Sequence, residues 1–306
     1  MPKAAAMTEP NARIASLMAS EAYRRAVATL TEEHERTVAD IVTLTEIPSP
    51  PFQEAVRARA YEAMLRAHGL ADVEMDEAGN VMGVRAGTGN GPLIVVAAHL
   101  DTVFPAGTDV TVRREGTKLF APGVGDDTRS LAVLLAYMRA LDAAGIRTQS
   151  DILFVGDVGE EGLGDLRGIR HLFSKGKYRE RIKAFITVDS PEMERIAVGG
   201  IGSKRYRVTF RGPGGHSFSA FGTVNPMYAM AQAMQALAKT KVPDKPRTTF
   251  GVTVTGGGTS INAIPNEVWM DVDMRSQSAE ELARLEAHFR TVVLEAVAAE
   301  NATRST

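Results

Sequence analysis

The stretch that most constrains the fold is an apolar run from Leu93 to Ala98, which leads directly into His99-Leu100-Asp101. A short apolar run of this kind predicts a buried β-strand. Alternate residues of a strand share a face, so we expect the side chains of His99 and Asp101 to point the same way. A carboxylate behind an imidazole is a common arrangement around protein-bound metals. By itself, however, a histidine at a strand end is more often a structural residue with satisfied hydrogen bonds than a metal ligand.

Acidic residues flank the next apolar segments of the chain in a similar way. The segments are the predicted helix 130–141 after Asp126 and Asp127, the predicted strand 151–155 before Glu160 and Glu161, and the predicted strand 184–188 before Asp189. Strands that alternate with helices indicate an α/β fold, with a mostly parallel sheet flanked by helices on both faces.

These acidic groups and His99 are expected at one edge of the sheet, where α/β proteins bind ligands. Carboxylates brought together there repel one another unless cations neutralise them. Imidazole and carboxylate ligands suit zinc, cobalt or manganese, and two such ions can share a carboxylate and act on one water and one carbonyl. The alternative is that one aspartate caps a helix and that the glutamate pair lies in a solvated loop.

Composition excludes several classes of protein and site. The chain has no cysteine, which excludes disulfides, thiolate zinc sites and a cysteine nucleophile. A net charge of -2 does not favour nucleic acid as a partner. No apolar run approaches the roughly 20 residues of a membrane span. Residues 1–10 contain no continuous apolar stretch, so we expect no secretory signal and a cytoplasmic protein.

The pattern changes near Gly199, which predicts a second domain. Its predicted elements are strand 204–211, helix 225–241, strands 250–255 and 267–275, and helix 279–299. This order fits an α+β ferredoxin-like domain without its last strand. We therefore expect domains at 1–198 and 199–306. Within the first of these domains, residues 15–45 are expected to be helical, up to the prolines after Ile47.

The chain resembles the M20 family of co-catalytic metallopeptidases over nearly its whole length. The residues that carry the resemblance are His99-Leu100-Asp101, Gly125-Asp126-Asp127, Gly159-Glu160-Glu161-Gly162 and Val188-Asp189. Relatives in that family include glutamate carboxypeptidases, peptidase T and amino-acid deacylases, and the segment 163–168 favours the first two. One departure is visible, because Thr128 and Arg129 stand where the family often has lysine and glycine.

The resemblance implies a role for each of these residues. His99 and Asp189 would bind one divalent ion, Asp126 would bridge two ions, and Glu161 would bind the second. Glu160 would be the general base, and Asp101 would orient His99. The ions would be zinc, with cobalt or manganese as alternatives.

The second domain resembles the M20 lid, which implies a homodimer formed through this domain. Its loop Gly212-Pro213-Gly214-Gly215-His216-Ser217 is similar to the loop that carries a substrate-contacting histidine. Asn262 and Arg275 match family positions that bind the substrate's carbonyl and carboxylate. The alternative for His216 is an exposed histidine in a turn, and the alternative for Arg275 is an ordinary surface arginine.

The family pattern also includes a later histidine on the second ion, a final lid strand and closing segments of the catalytic domain, which this chain does not contain. The second metal site is therefore expected to be incomplete. The favoured function is metal-dependent hydrolysis of an amide bond in a small peptide or N-acyl amino acid. The alternative is an inactive, truncated dimerising or peptide-binding module. Nucleotide binding is disfavoured because neither a Walker nor a dinucleotide motif is present.

Overall fold

A computed structural model describes residues 9–89, 91–189 and 194–304. The expectation about a secretory signal concerns residues 1–10, and residues 1–8 lie outside the described ranges. The chain divides into two compact units, Met1–Met193 and Glu194–Thr306, which are described separately below.

The helices and strands are defined by their backbone hydrogen bonds. The helices are α1 (Glu9–Met18), α2 (Glu21–Glu32), α3 (His34–Thr45), α4 (Ala55–Ala67), α5 (Thr128–Ala143), α6 (Arg167–Ser174), α7 (Pro226–Ala238) and α8 (Ala279–Thr303). The strands are β1 (Ala71–Met75), β2 (Val81–Arg85), β3 (Leu93–His99), β4 (Arg113–Glu115), β5 (Lys118–Phe120), β6 (Ile152–Asp157), β7 (Ile182–Thr187), β8 (Gly202–Arg211), β9 (Gly215–His216), β10 (Thr248–Gly257), β11 (Ala263–Ile264) and β12 (Glu267–Ser276).

The first unit contains a five-stranded sheet in the order β1-β2-β6-β3-β7. Strands β6, β3 and β7 are parallel, as predicted, whereas β1 and β2 add an antiparallel edge. Alternate residues of β3 enter two different cores: Val96 and Ala98 pack with residues of α3, α4 and α5, and Val95 and Ala97 pack with Leu172 of α6. The predicted α/β fold, with helices on both faces of the sheet, is therefore confirmed.

The N-terminal segment differs from the expected continuous helix 15–45, because it forms three helices. The Ser20 hydroxyl accepts a hydrogen bond from the Tyr23 amide and caps α2, so the chain turns there. A second break lies at Glu33, whose φ of -93° and ψ of 17° depart from helical values. The segment thus breaks twice although it contains no internal proline or glycine, once at a capping side chain and once, at Glu33, without one.

The second unit has a three-stranded antiparallel sheet in the order β10-β12-β8. Its elements follow the predicted order. Helices α7 and α8 pack on one face against a buried row of Val268, Met270, Val272 and Met274 from β12. On the opposite face Arg207 pairs with Asp271. Across the described ranges, no helix combines the length and the apolar character that crossing a bilayer requires.

Candidate metal centre

The parallel strands of the first unit bring the predicted metal-binding residues to one edge of the sheet. His99 is the last residue of β3 and lies opposite Asp157, the last residue of β6. Asp189 follows β7, and Asp126 and Asp127 directly precede α5. Two groups of residues could each hold a metal ion: His99 with Asp127 and Asp189, and His99 with Glu160 and Glu161. Within each group, the potential ligand atoms lie within 4.8 Å of one another.

His99 is at the centre of this cluster and is only 3% exposed. Its Nε2 lies 2.9 Å from Oδ1 of Asp126, and its Nδ1 lies 3.0 Å from the carbonyl oxygen of Asp101. Its backbone N–H donates to Oδ2 of Asp127 at 3.1 Å. Burial alone would lower the pKa of His99, but its acidic neighbours outweigh burial and raise that pKa to about 12. The His99 imidazole is thus surrounded by hydrogen-bond acceptors, which favour a positive charge at this position.

Asp101 has a second contact that the sequence did not indicate. Its buried carboxylate accepts hydrogen bonds from the backbone N–H groups of Glu160, at 3.0 Å, and Glu161, at 2.9 Å. The nearer carboxylate oxygen lies 3.7 Å from Nδ1 of His99. Burial would raise the pKa of Asp101, but His99 and the two N–H donors together lower it below its ordinary value. Asp101 therefore links the end of β3 to the segment that carries the glutamate pair.

Two buried acids of the cluster, Asp127 and Asp157, were not predicted as site residues. Asp127 occupies the N-cap position of α5, but its side chain makes no capping hydrogen bond. Its Oδ1 is buried and has no hydrogen-bond partner among the described residues. Burial raises the pKa of Asp127 to about 8 and that of Asp157 to about 7. The sequence did contain a signal for each of these acids, because Asp127 follows Asp126 directly and Asp157 comes at the end of an apolar strand.

The glutamate pair shows the same accumulation of negative charge. Burial, followed by repulsion from Asp126 and Glu160, raises the pKa of Glu161 to about 7. Burial also raises the pKa of Glu160, with smaller contributions from Asp189, Asp101 and Asp126. Raised carboxyl pKa values, together with the unpartnered Asp127 oxygen, fit a site that a divalent cation would neutralise.

The three residues predicted to bind substrate lie in the second unit. His216 in β9 pairs with Ala263 in β11, and the carbonyl oxygen of Asn262 accepts a hydrogen bond from the Ser217 N–H at 2.9 Å. His216 and Asn262 are therefore neighbours. Arg275 is not beside them, because it lies near the far end of β12, where its Nε donates to Asp273 at 2.8 Å.

A comparison with protein families gives the chain's relationship. The family model described as "Peptidase family M20/M25/M40" matches residues 95–295, which include His99 and all the acidic residues of the cluster. The chain belongs to this family. The predicted resemblance is confirmed, and the match spans parts of both units.

Individual M20 relatives agree with this assignment. Succinyl-diaminopimelate desuccinylase of Corynebacterium glutamicum is 26% identical over 76% of the chain and 64% of its own length. Carboxypeptidase G2 of a Pseudomonas species is 25% identical over 70% of the chain and 52% of its own length. The aminopeptidase PepT of Bacillus cereus has the same fold, with a TM-score of 0.64 and 22% identity over 85% of this chain and 71% of that one. The chain thus spans between half and two thirds of these two curated relatives.

Proposed function

We propose that the protein hydrolyses an amide bond in a small peptide or an N-acyl amino acid. The observation that carries this proposal is the pair of potential ligand groups that share His99 at one sheet edge. Asp127 and Asp189 form one group with His99, Glu160 and Glu161 form the other, and the ligand atoms within each group lie within 4.8 Å of one another. Family membership supports the same reaction class, because the relatives' names denote a desuccinylase and a carboxypeptidase.

The residues that would hold divalent ions are His99, Asp126, Glu161 and Asp189. The unpartnered oxygen of Asp127 is a further donor in the same cluster. Imidazole and carboxylate donors favour zinc, with cobalt and manganese as alternatives. When bound, such an ion lowers the pKa of water towards neutrality and polarises a carbonyl.

Glu160 is proposed as the general base. It would take a proton from the attacking water and pass it to the nitrogen of the leaving amine. Its pKa is raised above the ordinary value, which brings the group closer to the pH at which a base works best. Asp101 holds the backbone N–H of Glu160 and would keep this carboxylate in place.

In the second unit we propose that His216 stabilises the oxyanion and that Asn262 binds the substrate's carbonyl. Arg275 is proposed to bind a substrate carboxylate, as a guanidinium can in bidentate fashion. We further propose a homodimer formed through this unit in the cytoplasm. Strand β8 supports the dimer, because it is an edge of its sheet and offers backbone groups for pairing.

The test combines metal binding with hydrolysis. Zinc, cobalt and manganese are titrated calorimetrically, and the loaded protein is assayed on dipeptides, tripeptides and N-acyl amino acids. We expect binding, and turnover that falls about 100-fold or more in Glu160→Gln. The matched control is Glu180→Gln, because the Glu180 side chain is 85% exposed. Binding without hydrolysis would favour the peptide-binding alternative, and no binding of any ion would refute the proposal.

A further inference from the structure

The segment that carries Glu160 and Glu161, residues 158–168, is called the glutamate loop below. It connects β6 to α6 and departs from ordinary backbone conformation at several positions. Asp165 and Leu166 have φ of 53° and 56°, which is the left-handed region that residues with a Cβ rarely adopt. Such a conformation persists only where the surrounding structure holds it. The residues that hold this loop therefore decide where the glutamates lie.

The base of the glutamate loop is closed by the side chain of Asn80, which is 0% exposed. Oδ1 of Asn80 accepts a hydrogen bond from the Val158 N–H at 3.2 Å, and Nδ2 donates to the Gly168 carbonyl at 2.9 Å. Val158 and Gly168 are also joined directly, because the Gly168 N–H donates to the Val158 carbonyl at 3.0 Å. One amide group thus joins the two ends of the loop.

Asn80 is itself held rigidly by Asp76. One carboxylate oxygen of Asp76 accepts from the backbone N–H groups of Ala78, Gly79 and Asn80, and the other accepts from Nδ2 of Asn80 at 2.8 Å. The glycine at 168 allows the close approach, because a Cβ there would lie 2.1 Å from Oδ1 of Asn80. Only an amide side chain offers both a donor and an acceptor in this geometry.

We infer that Asn80 is a positioning residue, which fixes Glu160 and Glu161 beside His99 by closing the base of the glutamate loop. The inference rests on the proposed function, since it assigns these glutamates to metal and water. Asp101 holds the loop at Glu160 and Glu161, and Asn80 holds it at Val158 and Gly168. Without the Asn80 side chain, the strained backbone would be held by the Gly168–Val158 backbone bond, the Arg167–Glu54 ion pair and the Asp101 contact.

The test compares Asn80→Asp and Asn80→Ala with Leu65→Ala. The aspartate variant keeps the size of the side chain and the acceptor for Val158, but it places an acceptor against the Gly168 carbonyl and against Asp76. Leu65→Ala is the control for lost stability, because Leu65 is fully buried in α4 and belongs to the same hydrophobic core as Val158. Each protein is titrated with zinc calorimetrically, and backbone hydrogen exchange is followed across the glutamate loop.

We expect both Asn80 variants to bind zinc about 10-fold or more weakly, in the range seen when groups supporting metal ligands are removed. The amides of Glu160 and Glu161 should exchange faster. Leu65→Ala should melt at a lower temperature and keep its zinc affinity. Asn80 variants that lose stability but bind zinc like Leu65→Ala would overturn the inference.

The two proposals fail in different ways. An unmodified protein that binds no divalent ion would refute the proposed function. The inference about Asn80 would then depend on hydrogen exchange alone. Unchanged exchange of the Glu160 and Glu161 amides in Asn80→Asp would refute it, and faster exchange would support it.

Discussion

Replacing Asp101 by asparagine tests whether its carboxylate supports the metal centre. Asp101 is 0% exposed and accepts two backbone hydrogen bonds, from Glu160 and Glu161. Asparagine has one acceptor oxygen, so one of these N–H groups would face an NH₂ group. A buried hydrogen bond to a charged group contributes about 1.5–3 kcal/mol. We therefore expect the free energy of unfolding to fall by about 2 kcal/mol.

The metal affinity should fall more than a general loss of stability explains. Both glutamates are attached to Asp101 through the backbone, so their carboxylates would no longer be held near His99. We expect zinc to bind about 10–100-fold more weakly, measured by calorimetry against a competing chelator. Asp142→Asn is the matched control, because the Asp142 side chain is 55% exposed and pairs with Arg85. Zinc binding by Asp101→Asn that equals the control would refute this reasoning.

Three further predictions follow from other contacts. Arg57→Met should lower the free energy of unfolding in urea by about 3 kcal/mol. The reason is that the buried Arg57 guanidinium donates hydrogen bonds to the carbonyls of Ile47 and Leu100. An equal effect of Arg59→Met, at an exposed position, would contradict this. Without metal, the free energy of unfolding should fall by roughly 4 kcal/mol from pH 6 to pH 8, since the raised pKa values of Asp127 and Asp157 let the folded state keep protons that the unfolded chain has lost. Stability that rises over this interval in chelator would show the sign to be wrong. His216→Ala should lower turnover about 10-fold or more without changing the melting temperature, as the residue is exposed, and turnover equal to that of His288→Ala would exclude the oxyanion role.

The strands of the first unit could be predicted closely because their signal is local. The runs that became β3, β6 and β7 are apolar and short, and they end in polar residues, so the boundaries agree within about two residues. The convergence of His99, Glu160, Glu161 and Asp189 followed from one rule, that parallel strands end at the same edge. The roles of these residues stay predictions.

The missed features depend on contacts between distant segments. Periodicity cannot show that Asp127 binds the His99 backbone, nor that Asn80 reaches Gly168, since each bond joins parts of the chain that only folding brings together. The division of residues 15–45 was missed for a different reason. The break before α2 depends on the single capping hydroxyl of Ser20, which hydrophobic patterning does not register, and the break at Glu33 has no capping side chain at all.

The proposed metal ligands come from separate segments of the chain between His99 and Asp189. During synthesis the ribosome must therefore release residue 189 before a nascent chain can present the whole cluster. Ions met earlier would find only partial sets of ligands, which bind weakly and exchange freely. If these residues bind ions as proposed, the ion is therefore selected only after the strands of the sheet have paired.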